Sequence, residues 1–142
     1  MAQQFNADKY TPLKAQDNIF SDLYTDFTVH PELHDLTIKK NEEAVKTAVR
    51  NLILTNRYER LFNPTFGGNI RKYLFEPITP ATQEAIRSDI VTAIENYEPR
   101  ARIISVIVTP YVDQNAYVIT ITFSVINTST EVTLNTILYR VR

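Results

Sequence analysis

Ile94-Glu95-Asn96-Tyr97-Glu98-Pro99-Arg100-Ala101-Arg102-Ile103-Ile104-Ser105-Val106 is the stretch in which this chain changes its hydrophobic period. Upstream, Ala85, Ile86, Ile90, Ala93, Ile94 and Tyr97 recur at helical spacing and line one side of a helix. Downstream, apolar residues recur every second position, the spacing of a strand. Pro99 cannot continue a helix and the residue before a proline avoids helical angles, so Glu98 is expected to be extended already. The strand signal then repeats. Residues 102–109 form a first strand, with Pro110 and Asp113-Gln114-Asn115 as turn material. Residues 116–126 form the most regular strand: Tyr117, Ile119, Ile121, Phe123 and Val125 face one way, and Val118, Thr120, Thr122, Ser124 and Ile126 the other. Asn127-Thr128-Ser129-Thr130 reads as a turn and 131–141 as a third strand. Three strands with short connections imply an antiparallel meander with helices on one face, an α+β fold.

Working outward to the N-terminus, Thr79 caps the helix and Pro80 opens it at the favoured first position. A second helix is predicted over 42–55. Asn41 is a good N-cap, Glu42 and Glu43 suit its positive first turn, and Ala44, Val45, Ala48, Val49, Leu52 and Ile53 make one apolar stripe. Asn56 is expected to end it in the left-handed conformation. Asn63-Pro64-Thr65 and Gly67-Gly68 mark a long connection, then a helical turn over Ile70–Phe75 stopped by Glu76-Pro77. The weak alternation of Phe27, Val29, Leu33, Leu36 and Ile38, broken by Pro31, predicts short extended pieces, two of them pairing as a hairpin. Residues 1–17 are polar and read as a flexible arm that orders on a partner, and 18–142 as one domain.

Composition narrows the function. The 142 residues carry 15 basic and 16 acidic side chains, a net charge of −1 that argues against a phosphate-backbone binder. With no cysteine there is no disulfide, thiolate metal site or cysteine nucleophile. No apolar run approaches the roughly 18 residues of a membrane helix. The N-terminus lacks the basic and apolar regions of a secretion signal, so assembly in cytoplasm is expected. Only two glycines occur, adjacent at Gly67-Gly68, which excludes a Gly-rich phosphate loop.

The chemical motifs are few. His30-Pro31-Glu32-Leu33-His34 has zinc-like spacing, but Pro31 disfavours the helix that would put both imidazoles on one face. The scattered acids Glu32, Asp35, Glu59, Glu76 and Glu98 form no recognisable catalytic pair, and neither histidine has a nucleophile in context. No cofactor, metal or catalytic residue is expected. Two features point to protein contacts instead. Glu98-Pro99-Arg100 is read either as a proline stop with Arg100 neutralising helix carbonyls, or as an anion and guanidinium presented together to a partner. The last strand, with Val132, Leu134, Thr136, Leu138 and Arg140 at alternate positions, is read either as a plain edge or as an edge awaiting a neighbour's strand.

Ser21-Asp22-Leu23, Asn51-Leu52-Ile53-Leu54-Thr55, Glu59-Arg60-Leu61-Phe62-Asn63-Pro64-Thr65-Phe66-Gly67, Leu74-Phe75-Glu76, Asn96-Tyr97-Glu98-Pro99-Arg100 and Ile121-Thr122-Phe123-Ser124-Val125-Ile126 stand in this order along the chain. The ordered set resembles the baseplate wedge and sheath-initiator family of contractile-tailed phages over residues 18–142, most closely its T-even-like form; the family includes the lysozyme-like baseplate subunit of type VI secretion systems. The resemblance implies a structural protein of the virion tail baseplate, in six copies around the axis. It implies docking of Glu98, Pro99 and Arg100 on the helical core bundle of neighbouring wedge proteins, supported by Glu59, Arg60, Phe66, Gly67, Leu74, Phe75 and Glu76. It further implies strand exchange with tail sheath subunits, and tube or hub proteins as further neighbours. Tyr58 stands where the family often has glycine, which predicts a different turn at 56–60. A secretion-system subunit with the same role and a tail-associated peptidoglycan hydrolase are the alternatives.

Overall fold

The computed structural model describes residues 20–32, 34–126 and 130–139. In chain order the elements are β1 (Ser21–Leu23), β2 (Ile38–Lys40), α1 (Asn41–Leu54), a 3-10 helix (Ile70–Phe75), α2 (Pro80–Tyr97), β3 (Ala101–Tyr111), a short 3-10 turn (Val112–Gln114), β4 (Ala116–Val125) and β5 (Glu131–Tyr139). The α+β architecture read from the sequence is present: β3, β4 and β5 form an antiparallel sheet in that order, and α1 and α2 cover one face. The two short N-terminal strands pair as a separate antiparallel ribbon, with Asp22 opposite Lys39 and Leu23 opposite Ile38.

The core follows from period-2 and period-3.6 patterns meeting. Tyr117, Ile119, Ile121, Phe123 and Val125 on β4, together with Val132, Leu134 and Leu138 on β5, point under the helices and are buried. Val45, Val49, Leu52 and Ile53 of α1 and Ile86, Ile90 and Ile94 of α2 meet them from above. Side chains of this size each contribute roughly 1.5–3 kcal/mol when fully buried, so this layer dominates stability. Residues Val118, Thr120, Thr122 and Ser124 lie on the opposite, half-exposed face.

Local chemistry sets the boundaries. Thr79 caps α2 by accepting from the Thr82 N–H at 3.2 Å, Pro80 takes the first turn, and the helix ends at Tyr97. The Tyr73 hydroxyl donates to Asp89 at 2.8 Å and Lys72 pairs with the same carboxylate at 3.0 Å, which ties the 3-10 helix to α2. The Tyr73 phenol is pushed up by burial first and by its bond to Asp89 second.

Four local expectations are corrected. Asn41 is not the N-cap of α1: Lys40 holds that position with no side-chain cap, and Asn41 is the first helical residue, at φ +47°, its Oδ1 accepting from the Phe20 N–H. Asn56 does not adopt the left-handed conformation. Its N–H and side-chain amide both donate to Glu59, at 2.8 and 2.6 Å, and this clasp directs the chain out of α1. Pro110 is not turn material but lies within β3, opposite Tyr117. That is tolerated because β3 is an edge strand, where a missing N–H need not break a ladder. Thr82, absent from the predicted buried side of α2, is buried, its hydroxyl bonded to the Pro77 carbonyl and to Thr79. The predicted arm 1–17, the turn at 127–129 and the end of the third strand from 140 onward lie outside the described residues.

Candidate docking site

The corner between α2 and β3 is built by one proline and one turn. Pro99 stops the helix, and the Ala101 N–H donates back to the Glu98 carbonyl at 3.1 Å, closing a β-turn with proline at its favoured second position. The segment is thus a turn, not the extended run expected from the sequence, and the difference decides where the charges go. Arg100 Nε and Nη2 donate to Glu98 Oε1 and Oε2 at 2.5 and 2.8 Å, a two-pronged pairing within the corner. Glu98 is nearly buried, its side chain 8% exposed, whereas that of Arg100 is 31% exposed. The carboxylate therefore serves as a fixed seat for the guanidinium and is not itself presented. Its negative charge holds Arg100 protonated more firmly than usual, the hydrogen bond contributing most. Of the five guanidinium N–H donors, two are committed to Glu98; the other three have no acceptor among the described residues.

Phe20 supports this arrangement from outside the motif. Its ring lies 5.6 Å from the Arg100 guanidinium carbon. Its backbone is held to Asn41 at both ends, Phe20 N–H to Asn41 Oδ1 at 3.2 Å and Asn41 N–H to the Phe20 carbonyl at 2.8 Å. Nothing in the sequence marks Phe20 as part of the corner, because the contact spans 80 positions and depends on the ribbon folding back beside α1.

The 56–67 connection reaches the corner through Tyr97, the residue before Glu98. The Tyr97 hydroxyl donates to the Thr65 carbonyl at 2.8 Å, and the Tyr97 and Phe66 rings meet edge to face at 5.1 Å. Arg60 stacks over Phe66 at 4.0 Å. Glu59 is occupied by Asn56, and those bonds hold its carboxyl below the usual range, the backbone N–H contributing most. Gly67, at φ +119°, is required: a Cβ there would sit 2.5 Å from the Thr55 carbonyl oxygen. Leu74 is buried in the core, whereas Phe75 and Glu76 are exposed. Glu76 acts electrostatically on Tyr117, which pairs with Pro110 toward the sheet end opposite Ala101–Val125. These three are not brought to the corner.

At the other candidate surface, Val132, Leu134, Thr136 and Leu138 of β5 turn their side chains into the core. What β5 exposes at the edge of the sheet is backbone. Arg140 lies outside the described residues. His30 and His34 fall in the loop that closes the N-terminal hairpin, where the His34 N–H donates to the His30 carbonyl at 3.0 Å; no cluster of three metal-ligating side chains exists among the described residues.

Solved structures share this fold. A candidate tail lysozyme of Geobacter sulfurreducens superposes with a TM-score of 0.68 at 27% identity, covering 75% of this chain and 96% of that one. A chain of the six-fold symmetrised baseplate of the anti-feeding prophage superposes with a TM-score of 0.60 at 22% identity, covering 84% and 85%. The fold is thus one found among tail and baseplate proteins. The family described as baseplate wedge protein gp25 matches residues 39–130, from β2 to the threshold of β5. The baseplate wedge protein gp25 of Enterobacteria phage T4 is 33% identical over 110 residues, covering 74% of this chain and 82% of the relative. The chain belongs to the baseplate wedge protein gp25 family.

Proposed function

We propose that this chain is a structural protein of a contractile-tail baseplate that docks on a neighbouring wedge protein through Arg100 and serves as a platform for sheath assembly. The observation that carries the docking is a guanidinium seated on a buried carboxylate with three donors unused. Such a seat fixes the planar fork at the surface before a partner arrives, so little side-chain freedom is lost on binding. The partner group is a carboxylate or a set of backbone carbonyls, the acceptors a planar fork matches. The helical core bundle of the wedge is the expected location, with six copies around the axis and tube or hub proteins nearby.

Strand addition from sheath subunits is assigned to β5. The competing edge, β3, carries Pro110 and a register irregularity between Ile103 and Ser105, both of which interfere with pairing. The described part of β5 has no proline and runs nine residues in regular register with β4.

Arg100→Lys tests the docking. Lysine keeps a cation for Glu98 but loses the fork, so the variant is expected to fold normally and to be missing from purified tails. Tails containing the variant at parental levels would remove Arg100 from the docking role. A second reading, peptidoglycan hydrolysis, draws on the description of the Geobacter sulfurreducens neighbour as a candidate tail lysozyme. Turnover of purified cell wall by this chain, abolished by changing one acid, would favour it over the structural role.

A further inference from the structure

The loop leaving α1 displays three large apolar side chains to solvent in succession: Tyr58 is 83% exposed, Leu61 86% and Phe62 104%. Isolated exposed apolar residues are ordinary; three on one short loop are not. The loop is also held in shape. Tyr58 and Phe62 both sit at φ +69°, a left-handed conformation that bulky side chains rarely adopt and that persists only when surroundings impose it. Here they do. The Asn56–Glu59 clasp fixes one end, the Tyr58 N–H donates to the Pro64 carbonyl at 2.9 Å across the loop, and Tyr97 anchors Thr65 at the other end.

Charge gives the complementary half of the description. Glu59 is exposed and ionised too, but both its oxygens are engaged by Asn56, so the loop's outer surface carries Arg57 and Arg60 against one committed anion, a net positive charge. The chemistry that fits a rigid apolar projection flanked by two cations is an apolar cleft in a protein, bordered by carboxylates. Size decides whether the loop acts alone. Side chains of this kind bury roughly 150–250 Å² each, which for three falls short of the roughly 800 Å² per partner of a stable interface. The rest of the surface must be adjacent, and Tyr97 joins the loop directly to Glu98 at the corner.

We infer that Tyr58, Leu61 and Phe62 form a preorganised plug that enters an acid-rimmed apolar cleft on the same partner polypeptide that Arg100 grips. This rests on the proposed docking of the corner, and the experiment separates the two. A photo-crosslinking phenylalanine analogue is placed at Phe62 in one variant and at exposed Glu95, beside the corner, in another, and assembled tails are irradiated. The expected result is a crosslink from both positions to one polypeptide. A crosslink from position 95 alone overturns the plug and leaves the corner standing. A crosslink from position 62 to lipid or to a different polypeptide also overturns the plug. Silence at both positions overturns the plug and the corner together. In parallel, Leu61→Ser with Phe62→Ser should leave Tm unchanged and lower incorporation into tails about tenfold or more; parental incorporation would overturn the plug.

Discussion

Removing Arg100 should destabilise the isolated protein, and by an amount that depends on whether Glu98 is still present. Arg100→Ala leaves a carboxylate with only 8% of its side chain exposed and without the two donors that seat it. Breaking a fully buried pair from one side costs about 3–5 kcal/mol. Arg100 is 31% exposed, so water can enter and reach the stranded anion, which reduces the estimate to about 2 kcal/mol. Glu98→Ala leaves instead a guanidinium that water can solvate, at a cost of about 1 kcal/mol. The double variant removes both the stranded charge and its partner and should cost about 1 kcal/mol, less than the sum of the single changes by about 2 kcal/mol. Thermal and urea unfolding of the four proteins measures this cycle. For a chain of this size 1 kcal/mol corresponds to roughly 3–5 °C, so Arg100→Ala alone should lower Tm by about 6–10 °C and the double variant by about half that. Additive losses with no coupling would show that the pair is no more than a surface contact. The cycle also shows why Arg100→Lys is the cleaner docking variant: alanine changes the fold and the contact at once.

Gly67→Ala forces a Cβ against the Thr55 carbonyl oxygen at a positive φ, and should cost about 3 kcal/mol in urea unfolding; a loss below 1 kcal/mol would mean that the 55–67 connection yields easily. Tyr73→Phe removes the hydroxyl from Asp89 while Lys72 still pairs with it, so a loss of about 1 kcal/mol is expected by the same method, and no change would exclude that bond from stability. Thr136 buries a hydroxyl with no partner among the described residues, and Thr136→Val should raise stability by about 1 kcal/mol; a decrease would show that the hydroxyl is satisfied. The Asn56–Glu59 clasp is pH-dependent. Glu59 has a folded pKa below its ordinary 4.5, so its contribution is complete above that value and is lost as pH falls through the lowered one. Hydrogen exchange at the Asn56 amide, corrected for its intrinsic pH dependence, should lose protection in that window in the parent and not in Glu59→Gln.

The two main helices and the sheet were legible because each rests on a local signal. Pro80 and Thr79 start α2, Pro99 ends it, and the alternation from Tyr117 to Val125 selects the buried face of β4 without reference to distant residues. The corner was legible as a place but not as a geometry. Whether Glu98 and Arg100 point outward or toward each other depends on the turn closed by Ala101 and on Phe20, which arrives from the far end of the described chain. Asn56 is a fair candidate for a left-handed helix end, yet Glu59 three residues later offers its N–H and amide a carboxylate. Tyr58 and Phe62 carry no sequence signal for positive φ; their conformation is imposed by anchors at Pro64 and Tyr97. Pro110 misled because its tolerance in a strand depends on edge position, a property of the whole sheet.

The decisive measurement is a structure of the assembled tail in which this chain is located. The expected result is the chain in the baseplate with the Arg100 guanidinium, still seated on Glu98, within hydrogen-bond distance of an acceptor on a neighbouring protein. An Arg100 facing solvent in the assembled particle, with the chain held by other surfaces, would contradict it.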